Sequence, residues 1–125
     1  MLRLARDFLV RSHPIFSMLG WCAVAAIVAL SIMPASERPM TGAGRGFEHL
    51  AAFAMAAALF AVGNAVSTRR LALYAVAACV LVEVLQVPLP TRHARLSDVV
   101  LDATASVLAI GLVAGLRWLL GRQMS

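Results

Sequence analysis

The sequence predicts an all-α integral membrane protein, a four-helix bundle with both termini cytoplasmic, and three observations predict it. Hydrophobic residues make up 62% of the chain and charged residues 14%, with a mean hydropathy of +0.87, far from the balance of a water-soluble domain. Four apolar stretches fill most of the length, each near the ~20 residues that a helix needs to cross a ~30 Å hydrocarbon layer. The arginines fall unevenly on the segments that join these stretches.

The first span, about 15 to 33, follows Arg3, Arg6 and Arg11. Its apolar run is longer than the usual core of a secretory signal and no clear A-x-A site follows, so it reads as a retained helix. Segment 34 to 46 holds Pro34, Pro39, Gly42, Gly44 and Gly46, which forbid continuous helix. The second span, 47 to 66, is dense in small residues, as in "LAAFAMAAALFAVG". A short turn at 67 to 70 leads into the third span, 71 to 90, and the fourth runs from 97 to 120. Connections this short place consecutive spans side by side and antiparallel, so residues 1 to 125 form one domain. Gly111-x-x-x-Gly115 lets backbones approach closely, either inside the bundle or across a homodimer face.

Eleven Lys+Arg positions, all arginine, against six acidic residues give a net charge of +5. Arg3, Arg6, Arg11, Arg69, Arg70, Arg117 and Arg122 fall on one side of this topology, and Arg38, Arg45, Arg92 and Arg95 on the other. The positive-inside rule then places both termini in the cytoplasm. No basic stripe with interleaved aromatics marks a nucleic-acid surface. Cys22 and Cys79 lie inside spans, with no second thiol or His to complete a metal set, so neither metal nor cofactor is expected.

"VEVLQVPLPTRHARLSDVVLD", residues 82 to 102, concentrates polar groups between two apolar spans. Under the topology above, Glu48, His49, Glu83, Gln86, Asp98 and Asp102 all fall in the outer part of the bilayer. Glu83 and Gln86 are spaced i, i+3, and Asp98 and Asp102 i, i+4, so each pair shares a helix face. Unpaired charges at such depth cost several kcal/mol, which turns these groups toward the bundle interior or a wet recess. One reading is a structural network that locks spans two, three and four together; the other is a ligand site. Arg92, presented from a stiff turn after Pro88 and Pro90, suits bidentate recognition of phosphate or carboxylate, or a salt bridge to Asp98 or Glu83. His49 is an acid–base candidate or a hydrogen-bond partner of Glu83 or Asp102. Glu48 favours a helix start, Ser97 and Asp98 suit a cap of span four, and His93 and Arg95 suit contact with lipid headgroups.

The spacing Glu83-x-x-Gln86, then Arg92, Asp98 and a polar residue at Asp102, resembles the signature of the VanZ-like family. These are small bacterial membrane proteins named for a glycopeptide (teicoplanin) resistance determinant. His49 and Phe53 resemble the family's earlier motif of a His followed four residues later by an aromatic. The likeness runs from about Gly46 to Gly115. Arg45-Gly46 stands where the family has Asp-Lys, Asp102 where it has Asn, and Ala105 where it has Gly. The resemblance implies a place in the bacterial inner membrane and a role at the cell envelope more than it implies a reaction.

Three functions compete. The leading expectation is a binding protein whose outer-facing recess, lined by His49, Glu83, Gln86, Arg92, Asp98 and Asp102, holds a polar lipid headgroup or a lipid-linked envelope precursor. The enzyme alternative uses His49 and Glu83 as acid and base on such a lipid, without a G-x-S-x-G or H-E-x-x-H motif to support it. The third is a structural subunit of a membrane complex, and transport is weaker still because no discontinuous apolar segments suggest inverted repeats.

Overall fold

A computed structural model describes residues 13–34, 36, 37, 39, 42–89 and 95–122, together with Leu4, Asp7 and Phe8. Among these the chain forms four long helices and no strand: α1 (Pro14–Ile32), α2 (Arg45–Gly63), α3 (Thr68–Gln86) and α4 (Leu96–Arg122). Three of them, over Pro14–Ile32, Gly46–Gly63 and Leu96–Leu120, are long and apolar enough to cross a membrane. The third expected span is less continuous, because α3 carries Arg69 and Arg70 at one end and Glu83 near the other.

Local chemistry explains each boundary. Pro14 occupies the first turn of α1, where its missing amide costs nothing. Gly44 precedes α2 with φ +90°, a conformation that side chains with a Cβ rarely adopt. Helix α2 stops at Gly63, short of the expected residue 66, because Asn64 turns to extended backbone. There the backbone amide and side-chain amide of Asn64 both donate to the Phe60 carbonyl, at 3.0 and 3.1 Å. Helix α3 begins at Thr68, so Arg69 and Arg70 lie in its first turn and not in the connecting turn. It ends at Gln86 and not at 90, since Pro88 has no amide to continue the ladder. The Val87 amide takes the Val84 carbonyl instead, at 3.2 Å, and the Leu89 amide that of Gln86, at 3.1 Å.

The packing order departs from simple neighbour-to-neighbour stacking. Helix α2 lies mainly against α4 and α1, and α3 mainly against α4; α2 and α3 barely touch despite their short connection. The expectation that all consecutive spans pack side by side fails at this pair. Small residues explain why: Ala57 and Ala61 of α2 give the long α4 room to seat Ile110 and Val113 between them and α3. A second cluster, Ile27, Phe53, Ala56, Cys79 and Val82, joins α1, α2 and α3 toward the other end. Outward surfaces are apolar: Met18, Leu73, Leu108 and Leu112 are all exposed. In water such a belt would be an aggregation liability; against lipid it costs nothing.

Glycine use also differs from the sequence expectation. Gly111 and Gly115 face outward, with open space where a Cβ would be, and so do not serve close packing inside the bundle. Close approach occurs instead at Gly63, where a Cβ would run into the backbone nitrogen and hydroxyl of Ser17. At Gly20 a Cβ would sit 3.1 Å from the Phe60 ring.

Candidate functional site

The described residues among the polar groups singled out by the sequence, His49, Glu83, Gln86, Asp98 and Asp102, collect at one end of the bundle, where α2 and α4 begin and α3 ends. Glu83, Gln86 and Asp102 are buried there, and His49 is nearly so. His49 Nδ1 lies 3.4 Å from Asp102 Oδ2, joining α2 to α4. An ionised carboxylate can only accept, which assigns the donor role in this long hydrogen bond to Nδ1. His49 Nε2 then faces away from Asp102; it is buried and has no partner among the described residues. The Phe53 ring, one turn on, stacks beside the imidazole with centroids 6.2 Å apart.

Glu83 does something the sequence did not suggest. Its Oε1 accepts a hydrogen bond from the backbone amide of Arg95, the residue before α4. A carboxylate from α3 thereby caps the start of α4, where the helix dipole favours negative charge. His49 pairs with Asp102, one of the two partners expected for it, and no His49–Glu83 contact forms. Ser97 donates to Asp98 Oδ1 at 3.2 Å, inside the first turn of α4 and not as its N-cap. Gln86 is 3% exposed, and its side-chain nitrogen has no partner among the described residues. Arg92 and His93 lie outside the described residues, as does the side chain of Arg45.

Two neighbours went unremarked in the sequence. Ser106, 1% exposed, donates to the Asp102 carbonyl at 2.8 Å, and its Oγ lies 4.0 Å from Cys79 Sγ. It extends the stripe Asp98, Asp102, Ser106 by another helical turn, a repeat visible in the sequence. Ser31 of α1 is also buried and, with Leu30, Pro39, Glu48, His49 and Phe53, lines a recess of about 220 Å³ beside the imidazole.

Chemically the arrangement combines a carboxylate-oriented imidazole, a recess beside that ring, and a buried Gln86 amide nitrogen without a partner among the described residues. Among the described residues, no set of three or more His, Cys, Asp or Glu side chains is placed to hold a metal ion. No protein-family model matches this chain, and neither a curated protein nor a solved structure does.

Proposed function

We propose that this chain is a multi-pass membrane protein of the bacterial cell envelope that holds a polar lipid headgroup, or a lipid-linked precursor, in the recess at the His49–Asp102 end. The observation that carries the proposal is the pair of buried nitrogens, His49 Nε2 and Gln86 Nε2, without a partner among the described residues. Leaving such groups unsatisfied costs roughly 1–3 kcal/mol each, so a ligand rich in hydroxyl, phosphate or carbonyl groups gains by meeting them. Gln86 donates to an acceptor oxygen. A neutral His49, held through Nδ1, accepts from a hydroxyl or ammonium. The VanZ-like spacing of Glu83, Gln86, Asp98 and Asp102 supports the same reading and extends it to a role in glycopeptide resistance. Arg92 supplies phosphate recognition in this reading, and the positive-inside distribution turns the recess outward with both termini cytoplasmic.

Gln86→Leu separates this from a structural role. Leucine fills similar volume and removes the unpartnered amide, so a structural reading predicts unchanged or increased stability and nothing else. Native mass spectra of gently extracted wild type should carry a lipid that the folded Gln86→Leu protein lacks. Equal lipid retention by both would sink the proposal.

One observation favours a second reading, a hydrolase or transferase. An imidazole oriented by a carboxylate through Nδ1 and free at Nε2 is the arrangement of a general base. Water or a lipid hydroxyl would pass its proton to Nε2 while its oxygen attacks the acyl or phosphoryl centre; the leaving oxygen then takes that proton back. This pairs His49 with Asp102 in place of Glu83. Product formed from a phosphorylated lipid by wild type and lost in a folded His49→Gln protein would establish it, and no product from wild type would dismiss it.

A further inference from the structure

A second cavity opens toward the opposite end of the bundle, its inner end meeting the recess beside His49 at Ile27 and Phe53. Its volume is about 360 Å³, and Trp21 of α1, Phe53, Ala57 and Phe60 of α2, and Leu71 and Tyr74 of α3 are among its walls. It exists because α1 and α3 meet only sparsely, which leaves a lateral cleft floored by α2 and by Ile110 of α4. Along α2 it runs from Phe53 to Asn64, about 16 Å at ~1.5 Å per residue. That is close to half of a ~30 Å hydrocarbon layer, the depth of one leaflet.

The end near Asn64 and Leu71 is basic. Arg69 and Arg70 are exposed in the first turn of α3, beside the cleft wall formed by Leu71. They make no ion pair among the described residues. The start of a helix is where its dipole disfavours cations, so these arginines do not serve the stability of α3. The buried carboxylates Glu83 and Asp102 lie at the far end of the bundle.

We propose that this cleft binds an anionic phospholipid, with one acyl chain between α1 and α3 and the phosphate at Arg69 and Arg70. The proposal rests on the membrane reading but not on the headgroup site at His49, which is at the other end. In a bilayer, an apolar cleft open to the side is filled by hydrocarbon and not by water. Its length fits one chain, and the paired cations at its mouth select a negative headgroup. Two basic residues near an anionic headgroup give a preference on the order of tenfold over a zwitterionic lipid of the same chain length.

Trp21 lines the cleft and is one of two tryptophans in the chain, the other being Trp118. In a Trp118→Phe protein reconstituted into phosphatidylcholine vesicles, Trp21 fluorescence should be quenched by brominated phosphatidylglycerol at about tenfold lower mole fraction than by brominated phosphatidylcholine. Arg69→Gln with Arg70→Gln, both at exposed positions, should abolish that difference. Equal quenching by the two lipids, or a preference that survives the double replacement, overturns the proposal. A Trp21→Phe protein, reporting from Trp118 on α4, keeps the two levels apart. Quenching of Trp118 without selectivity at Trp21 removes only the lipid site, whereas no quenching of either tryptophan removes the membrane reading and the site with it.

Discussion

Replacing Glu83 with alanine removes the one group on α3 that caps α4. The Oε1 atom accepts from the backbone amide of Arg95, and Glu83 is 9% exposed, so water replaces the lost bond poorly. Loss of a helix cap costs about 0.5–2 kcal/mol, and a hydrogen bond to a charged acceptor contributes about 1.5–3 kcal/mol. The two ranges describe the same bond and overlap near 2 kcal/mol, which raises the unfolded fraction roughly thirtyfold. Glu83→Gln keeps an acceptor oxygen in place and loses only the charge at the helix start, about 0.3–1 kcal/mol. The assay is reversible unfolding of the detergent-solubilised protein by increasing SDS mole fraction, followed by circular dichroism. The expected order of stability is wild type, then Glu83→Gln, then Glu83→Ala, with the alanine variant lower than wild type by about 2 kcal/mol. Coincident curves for wild type and Glu83→Ala would refute the capping role.

Two further outcomes follow from the helix packing. Gly63→Ala forces α1 and α2 apart at Ser17 and should cost about 1–3 kcal/mol in the same titration; an unchanged midpoint would mean that the helices are not in contact there. Gly111→Leu and Gly115→Leu point into open space, so each should leave stability unchanged or raise it by up to about 1 kcal/mol through better helix propensity. A clear loss, measured with cross-linking to count subunits, would show that this face packs against another chain.

The four helices were legible because apolar runs of spanning length leave little else for the chain to do, and because Pro34, Gly44 and Pro88 punctuate them. Their ends were less legible. Asn64 closes α2 through a side-chain bond to Phe60, and α3 begins at Thr68, before its charged residues, neither of which an apolar run reveals. The gathering of His49, Glu83, Gln86 and Asp102 at one end was legible, since buried polar groups in an apolar chain must turn away from lipid. Their pairings were not. His49 and Asp102 are 53 positions apart and meet only because α4 packs against α2, an order that the short connections did not imply. Glu83 could not be recognised as a cap, because its partner is a backbone amide across the proline-rich segment. Small-residue spacing pointed to Gly111 and Gly115, while the tight contacts fall at Gly20 and Gly63, where a phenyl ring and a facing backbone decide the matter.

The most direct test is the state of the His49 ring. With ¹⁵N-labelled histidine, spectra of the protein in a chemically inert detergent should show His49 protonated at Nδ1, toward Asp102, and bare at Nε2. Titration with a polar lipid extract should then shift the Nε2 resonance of His49 and leave that of His13 in place. An Nε2 signal that stays fixed through the whole titration would contradict the proposal that this end of the bundle receives a polar lipid headgroup.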